Sequence, residues 1–390
     1  MTPAARVQAA IDILDQVIAA ARANGAPADR LISEWFRARR FAGSGDRRAV
    51  RELVYRAVRT CGEVPESGRS AMLALIAGDP ALATLFDGSR HAPAAIVAGE
   101  PVATAGIAPA WLMERLDASG VPAQEAAALL GRAPLDVRVN TLRSGATVLP
   151  EGGVRTLAAH GWRYPPDTRI EDSAAYAAGA IEVQDTGSQL ACEAVAARPG
   201  ETVVDLCAGA GGKTLALAAA MDDRGVLIAS DADRARLAKL PPRAQRAGAT
   251  IVETVLLDPG AEGPALARFA GKADAVLVDA PCSGTGTWRR NPEARWRLTE
   301  RQLARYTAIQ SRLLDIAADL VAPGGRLVFV TCSLLDEEGA AQAESFLQRR
   351  AGWRADLPPL PAGTPRGPGL RLSPLRDETD GFFIARFLRV

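Results

Sequence analysis

Two short motifs carry most of the reactive side chains in this sequence. They are Asp279-Ala280-Pro281-Cys282 and Thr331-Cys332-Ser333, each at the end of an apolar run. Free cysteine is often a buried small hydrophobe, which is the better reading for Cys61 and Cys192 in their helical patterns. It fits less well for Cys282, which Ser283, Gly284, Thr285 and Gly286 follow as a loop that a substrate could lie against. Two such thiols could form a redox disulfide, hold a metal or perform covalent catalysis. Redox pairs usually sit in C-x-x-C, whereas these are fifty positions apart, and a metal would need more ligands. Covalent catalysis remains the better fit, because a thiolate of lowered pKa is an excellent nucleophile.

A glycine loop, Cys207-Ala208-Gly209-Ala210-Gly211-Gly212-Lys213-Thr214, lies between a strand pattern and a helix pattern. Glycines let the backbone approach a ligand and present N–H groups at a helix start. A P-loop needs glycine at position 207 and a dinucleotide fingerprint needs glycine at 214, and the residues there are Cys207 and Thr214. Asp231 ends the next strand pattern, where a carboxylate can accept both hydroxyls of a ribose. Asp258 ends the one after, where an adenine edge would lie. Strand-end aspartates are also ordinary helix caps, but with the glycine loop the two acids favour an adenosine-type ligand.

These residues need a scaffold that brings them together. Five apolar runs, 202–207, 225–231, 250–258, 274–282 and 325–333, have helical segments between several of them. That alternation predicts a parallel sheet covered on both faces, with ligands beyond the carboxyl ends of its strands. Cys207, Asp231, Asp258, Asp279 with Cys282, and Cys332 would all meet on that edge. Residues 1–130 are helical in pattern, with Ile11, Leu14, Val17 and Ile18 on one face. Residues 131–185 alternate and break often, as a small α+β connector would, and the sheet domain is expected over 186–390.

The chain has 390 residues, 48% hydrophobic and 23% charged, which excludes a disordered or collagen-like protein. No apolar run is long enough for a membrane helix. Two histidines and five cysteines without C-x-x-C argue against zinc or a disulfide framework, and a reducing cytoplasm is the expected compartment. The net charge of +1 conceals 43 arginines and only 3 lysines, the clearest concentrations being 11 arginines in residues 1–60 and 7 in 289–312. Codon usage explains the overall bias. The clusters could form solvated faces or nucleic-acid contacts.

Together CAGAGGK, DAPCSGTG, RRNPE, GGRLVFVTCSLLDEE and DGFFIARFLR resemble the RsmB/Sun (Fmu) family of RNA 5-methylcytosine methyltransferases. EVQDTGSQL at 182–190 is similar to the family's entry into its catalytic domain, RVNTLR at 138–143 to its preceding small domain, and DRRAVRELVYRAVR to the NusB-like domain of its ribosomal RNA members. The resemblance implies an α/β fold. It comprises a Rossmann-like, doubly wound, mostly parallel seven-stranded sheet, preceded by the connector and an all-α NusB-like RNA-binding domain. It implies S-adenosylmethionine as cofactor, held by Cys207 to Lys213 (Ala208, Gly209, Ala210, Gly211 and Gly212 between), Asp231, Asp258 and Asp279. It implies Cys332 as the nucleophile at carbon 6 of cytosine, Cys282 as the release residue and Asp279 at nitrogen 3 of the base. Arg289 and Arg290 would hold RNA phosphates, with Trp288 and Trp296 as stacking platforms or core residues. The family usually has proline where Ala210 stands, and Pro241-Pro242 should interrupt a helix. The expected protein is a metal-free monomer with ribosomal RNA as partner. The alternatives are an amino-group methyltransferase of the same fold, which needs no thiol, and a non-catalytic RNA-binding or assembly factor.

Overall fold

The computed structural model describes residues 1–143 and 148–390. They form two compact units: Met1–Gly131 with Thr287–Thr299, and Arg132–Gly286 with Glu300–Val390.

The first unit is built of helices, chiefly Pro3–Arg22, Ala28–Ala38, Ser44–Thr60, Gly68–Ile76 and Ala110–Ala118. Thr2 caps the first through its side chain, with Pro3 at the first helical position, where its missing N–H costs nothing. The expected face, Ile11, Leu14, Val17 and Ile18, is buried. Gly68 lets the fourth helix cross the first closely, since a Cβ there would stand 2.2 Å from the Ile11 carbonyl oxygen.

Residues 287–299, which the sequence pattern assigns to the sheet domain, pack in this helical unit instead. Arg295 is fully buried and its guanidinium donates to the carbonyls of Val58 (2.6 Å) and Cys61 (2.8 Å). These carbonyls lie at the end of helix Ser44–Thr60, where no intrahelical donors remain. Trp296 joins the helical core and donates to the same Cys61 carbonyl.

The second unit holds two sheets. The smaller has order β2-β3-β1-β4, all antiparallel, from Leu135–Val139 (β1), Val154–Arg155 (β2), Gly161–Tyr164 (β3) and Ile181–Val183 (β4). It has its own small core around Val137, Tyr164 and Ile181 but is knitted to the larger sheet's helices. Asn140 donates to the carbonyls of Gly179 and Ala247, and Glu182 pairs with Arg243 and Arg246.

The larger sheet begins with Thr202–Asp205 (β5), Val226–Asp231 (β6), Val252–Leu256 (β7), Ala273–Asp279 (β8) and Val321–Thr331 (β9). These are the five apolar runs, parallel in the order β9-β8-β5-β6-β7. Successive residues of β5, Val203 and Val204, enter cores on opposite faces, which is why the runs are apolar throughout. The sheet has nine strands among the described residues, correcting the expected seven. The additional strands are antiparallel: Trp353–Ala355 (β10), Thr364–Arg366 (β11), Gly369–Leu372 (β12) and Phe382–Arg389 (β13). Phe383 and Phe387 of β13 extend one core past β9.

Candidate active site

The glycine loop leaves β5 and turns into the helix Gly212–Ala220. Gly209 (φ +55°) and Gly211 (φ +87°) adopt left-handed backbone, and a Cβ at Gly211 would lie 2.1 Å from Leu240. Asp231 at the end of β6 accepts the Gly209 N–H (2.7 Å) through one oxygen and the Asp233 N–H (2.7 Å) through the other. The acid therefore shapes the loop while keeping lone pairs for a ligand. Ala210, standing where the family has proline, is held from outside: Arg243 donates to its carbonyl (2.6 Å) and is itself paired with Glu182. The expected helix break falls between Arg234–Leu237 and Leu240–Ala247. Pro241 and Pro242 start the second helix, where a proline is tolerated, and that helix carries Arg243.

Lys213 and Asp279 form an ion pair, Nζ to Oδ2 at 2.7 Å. Burial is the largest single influence and would lower the Lys213 ammonium, but the charge and hydrogen bond of Asp279, with Cys192 and Cys332, together turn the net shift upward. The field of this ammonium also reaches Cys332. Asp258 is exposed two residues beyond β7, on the same edge. Cys207 is half-buried, and desolvation followed by the charges of Asp205, Asp231 and Asp279 pushes its thiol well up.

The two motif cysteines are brought together. Cys282 Sγ and Cys332 Sγ are 3.3 Å apart. The hydrogen bond to Cys332, then burial, raises the Cys282 thiol well above its ordinary value. Either sulfur can be the donor in this contact. The loop between them is closed by the Gly286 N–H donating to the Cys332 carbonyl at 3.0 Å.

The arginine and tryptophan expectations fare differently. Trp288 and Trp296 are buried and offer no stacking face, so core packing is their role. Arg289 is also buried, only 7% exposed, which removes it as a surface phosphate contact; of the pair only Arg290 is half-exposed.

Two functional candidates escaped sequence reasoning. Asp205, the last residue of β5, is fully buried, accepts from Thr214 Oγ1 (2.7 Å), and its Oδ1 has no hydrogen-bond partner among the described residues. Its signal was an acid closing the apolar run TVVD. Glu338, in the run LLDEE after the Thr-Cys motif, is fully buried, unlike the adjacent Glu337.

A parallel sheet with this glycine loop, a ribose-type acid after the second strand and reactive groups along the carboxyl edge defines a Rossmann-like methyltransferase fold. Comparison with known proteins narrows the class. Residues 192–388 match the model of the family 16S rRNA methyltransferase RsmB/F. The probable ribosomal RNA small subunit methyltransferase B of Synechocystis sp. is 36% identical over 71% of this chain and 66% of its own length. The ribosomal RNA small subunit methyltransferase B of Citrobacter koseri is 34% identical over 72% and 66%. The chain thus spans just under two thirds of these relatives. The crystal structure of PH0851 superposes over 99% of both chains with TM-score 0.78 and 26% identity. NSun6 from Pyrococcus horikoshii, 18% identical, shares the fold over 71% of this chain and 97% of its own, with TM-score 0.62. The chain belongs to the RsmB/F family of 16S rRNA methyltransferases.

Proposed function

We propose that this protein transfers a methyl group from S-adenosylmethionine to carbon 5 of a cytosine in ribosomal RNA, through a covalent adduct with Cys332. The observation that carries the reading is the 3.3 Å pair of thiols on the same sheet edge as the glycine loop. An amino group needs no thiol to accept a methyl, whereas carbon 5 of cytosine is too poor a nucleophile until a thiolate has added at carbon 6.

The residues present suit the cofactor. Gly209 and Gly211 adopt backbone that side chains disfavour, and no atom stands within 4 Å of a Cβ at Gly212. Asp231 is anchored by two backbone N–H groups in position for a ribose, with Cys207 to Lys213 and Asp258 on either side of it. When bound, S-adenosylmethionine supplies an electrophilic methyl group.

The chain's own groups act on the base, which must leave its stack to reach them. Cys332 Sγ adds to carbon 6, and the electron pair of the 5,6 double bond becomes available at carbon 5. As negative charge builds at nitrogen 3 of the base, Asp279 in its acid form donates its proton there, and Lys213 pairs with the carboxylate that results. After methylation Cys282, entering this step as the thiolate, takes the carbon 5 proton, the carbon 6–sulfur bond breaks, Cys332 leaves with its electron pair, and the nitrogen 3 proton returns to Asp279. No step calls for a metal.

Exposed arginines of the helical unit supply the RNA contact. Arg37, Arg40 and Arg47 border a shallow groove with Ser33 and Phe36, and Arg290 adds a half-exposed charge. We place the protein in the cytoplasm as a monomer, where the thiol pair stays reduced. No described helix is long and apolar enough to cross a membrane.

The test is transfer from methyl-labelled S-adenosylmethionine to ribosomal RNA lacking the modification, followed by digestion to nucleosides. Label in 5-methylcytidine is expected. Label on an exocyclic amino group would select the amino-group alternative, and no transfer with no cofactor binding would select the assembly factor.

A further inference from the structure

The two cysteines are not the only residues aligned across this site. Cys282-Ser283 and Cys332-Ser333 lie side by side, with the sulfurs 3.3 Å apart and the serine hydroxyls 3.2 Å apart. Glu338 lies against the serine pair. One of its oxygens accepts the Ser283 N–H (2.9 Å) and Gln310 Nε2 (3.0 Å), and the other accepts the Ser283 hydroxyl. Gln310 also donates to the Pro281 carbonyl (2.9 Å), just before Cys282. The Glu338 carbonyl accepts from the Thr331 hydroxyl (3.2 Å), just before Cys332.

The hydroxyls form a directed chain. A carboxylate only accepts, so Ser283 donates to Glu338; Ser333 then donates to Ser283, and Thr285 to Ser333 at 3.0 Å. Thr285 and Ser333 in turn accept the N–H groups of Leu334 (2.9 Å) and Leu335 (3.1 Å), fixing the turn after Cys332. Residues flanking each thiol are therefore tied to one buried acid. Burial raises its carboxyl, and the donors around it oppose that rise. A buried acid so costly to desolvate is retained only where its acceptor capacity is used.

We propose that Glu338 is a positioning residue that sets the separation of the Cys282 and Cys332 sulfurs by holding Ser283 and Ser333. The consequence for turnover rests on the function proposed above; the separation does not. Attack at carbon 6 needs Cys332 alone, whereas release needs Cys282 within reach of the carbon 5 proton. Displacing Ser283 therefore impairs release before it impairs attack.

The test uses the full chain with Glu338→Gln, which keeps the shape but turns an acceptor into a donor facing donors, and separately Ser283→Ala, which leaves the acid in place. Dibromobimane, which fluoresces fully only when it bridges two thiols, reads the separation without RNA, with Cys282→Ala as background. Single-turnover assays on RNA read adduct formation and release separately, and thermal unfolding reads the fold. Expected are a severalfold loss of bridging, release slowed about tenfold or more, and formation changed less than about threefold. Wild-type bridging and release in a folded Glu338→Gln protein would overturn the proposal. So would formation and release falling by one common factor in step with Tm, the mark of a merely structural role. If Glu338→Gln does not fold, Ser283→Ala decides by the same criteria. Failure of the wild-type protein to methylate RNA would overturn the proposed function, while the bridging result would still decide the spacing.

Discussion

Lys213 Nζ lies 2.7 Å from Asp279 Oδ2, so the second residue of the helix that follows the glycine turn and the last residue of β8 share one ion pair. The pair couples the part of the site that faces the cofactor to the part that faces the base. Its side chains are only 11% and 31% exposed. Removing the cation would leave a carboxylate in a poorly hydrated place. For Lys213→Met we expect kcat/KM for methyl transfer to fall at least about tenfold. Stability should drop by about 1–3 kcal/mol in urea unfolding, a range reduced for the residual exposure of Asp279. Wild-type values of both would show that the pair does not organise the site.

Asp205 makes stability depend on pH. Burial lifts its carboxyl from 3.8 to about 7, against the pull of the Thr214 hydroxyl. The unfolded chain loses this proton near pH 4 and the folded chain near pH 7, so between them the folded state binds more protons. Its contribution is full below the unfolded value and is lost as pH rises through the folded one. Asp205→Asn cannot ionise. Its Tm should gain on that of the wild type from about pH 4 to about pH 7 and level off above that, measured on the cofactor-free protein. A constant difference across that range would contradict the shift.

Arg295 should be worth more than an arginine in a charged run suggests. Its guanidinium satisfies the Val58 and Cys61 carbonyls at a helix end, inside the helical unit. Arg295→Met keeps the apolar stem and strands these acceptors, at a cost of about 2–4 kcal/mol by urea unfolding of the full chain. An unchanged midpoint would mean that residues 287–299 do not dock there.

How much of this was legible in the sequence follows from where each residue's partners lie. The five parallel strands were readable because strands buried on both faces are apolar throughout, and the chemistry at their ends follows from the edge where such sheets bind. The antiparallel strands β10 to β13 were not, since short strands at a sheet's edge are defined by pairing across the chain. The segment around Arg295 and Trp296 looked like a solvated or RNA-facing stretch because its partners are carbonyls more than two hundred residues earlier. Glu338 and Asp205 were hidden for a related reason. An acid can be buried only where distant donors meet it, and Ser283, Gln310 and Thr214 become its neighbours only in the folded chain. Cys282 and Cys332 were paired in advance by their motifs and their matching places after β8 and β9.

The central claim is the division of labour between those two thiols. The direct measurement mixes unmodified ribosomal RNA and labelled S-adenosylmethionine with wild type, Cys332→Ala and Cys282→Ala, and then looks for protein–RNA adducts that survive denaturation. The account predicts that Cys332→Ala forms no adduct and no 5-methylcytidine, whereas Cys282→Ala forms the adduct and keeps it. Methylation by Cys332→Ala would contradict the covalent mechanism, and adduct accumulation in Cys332→Ala alone would reverse the two roles.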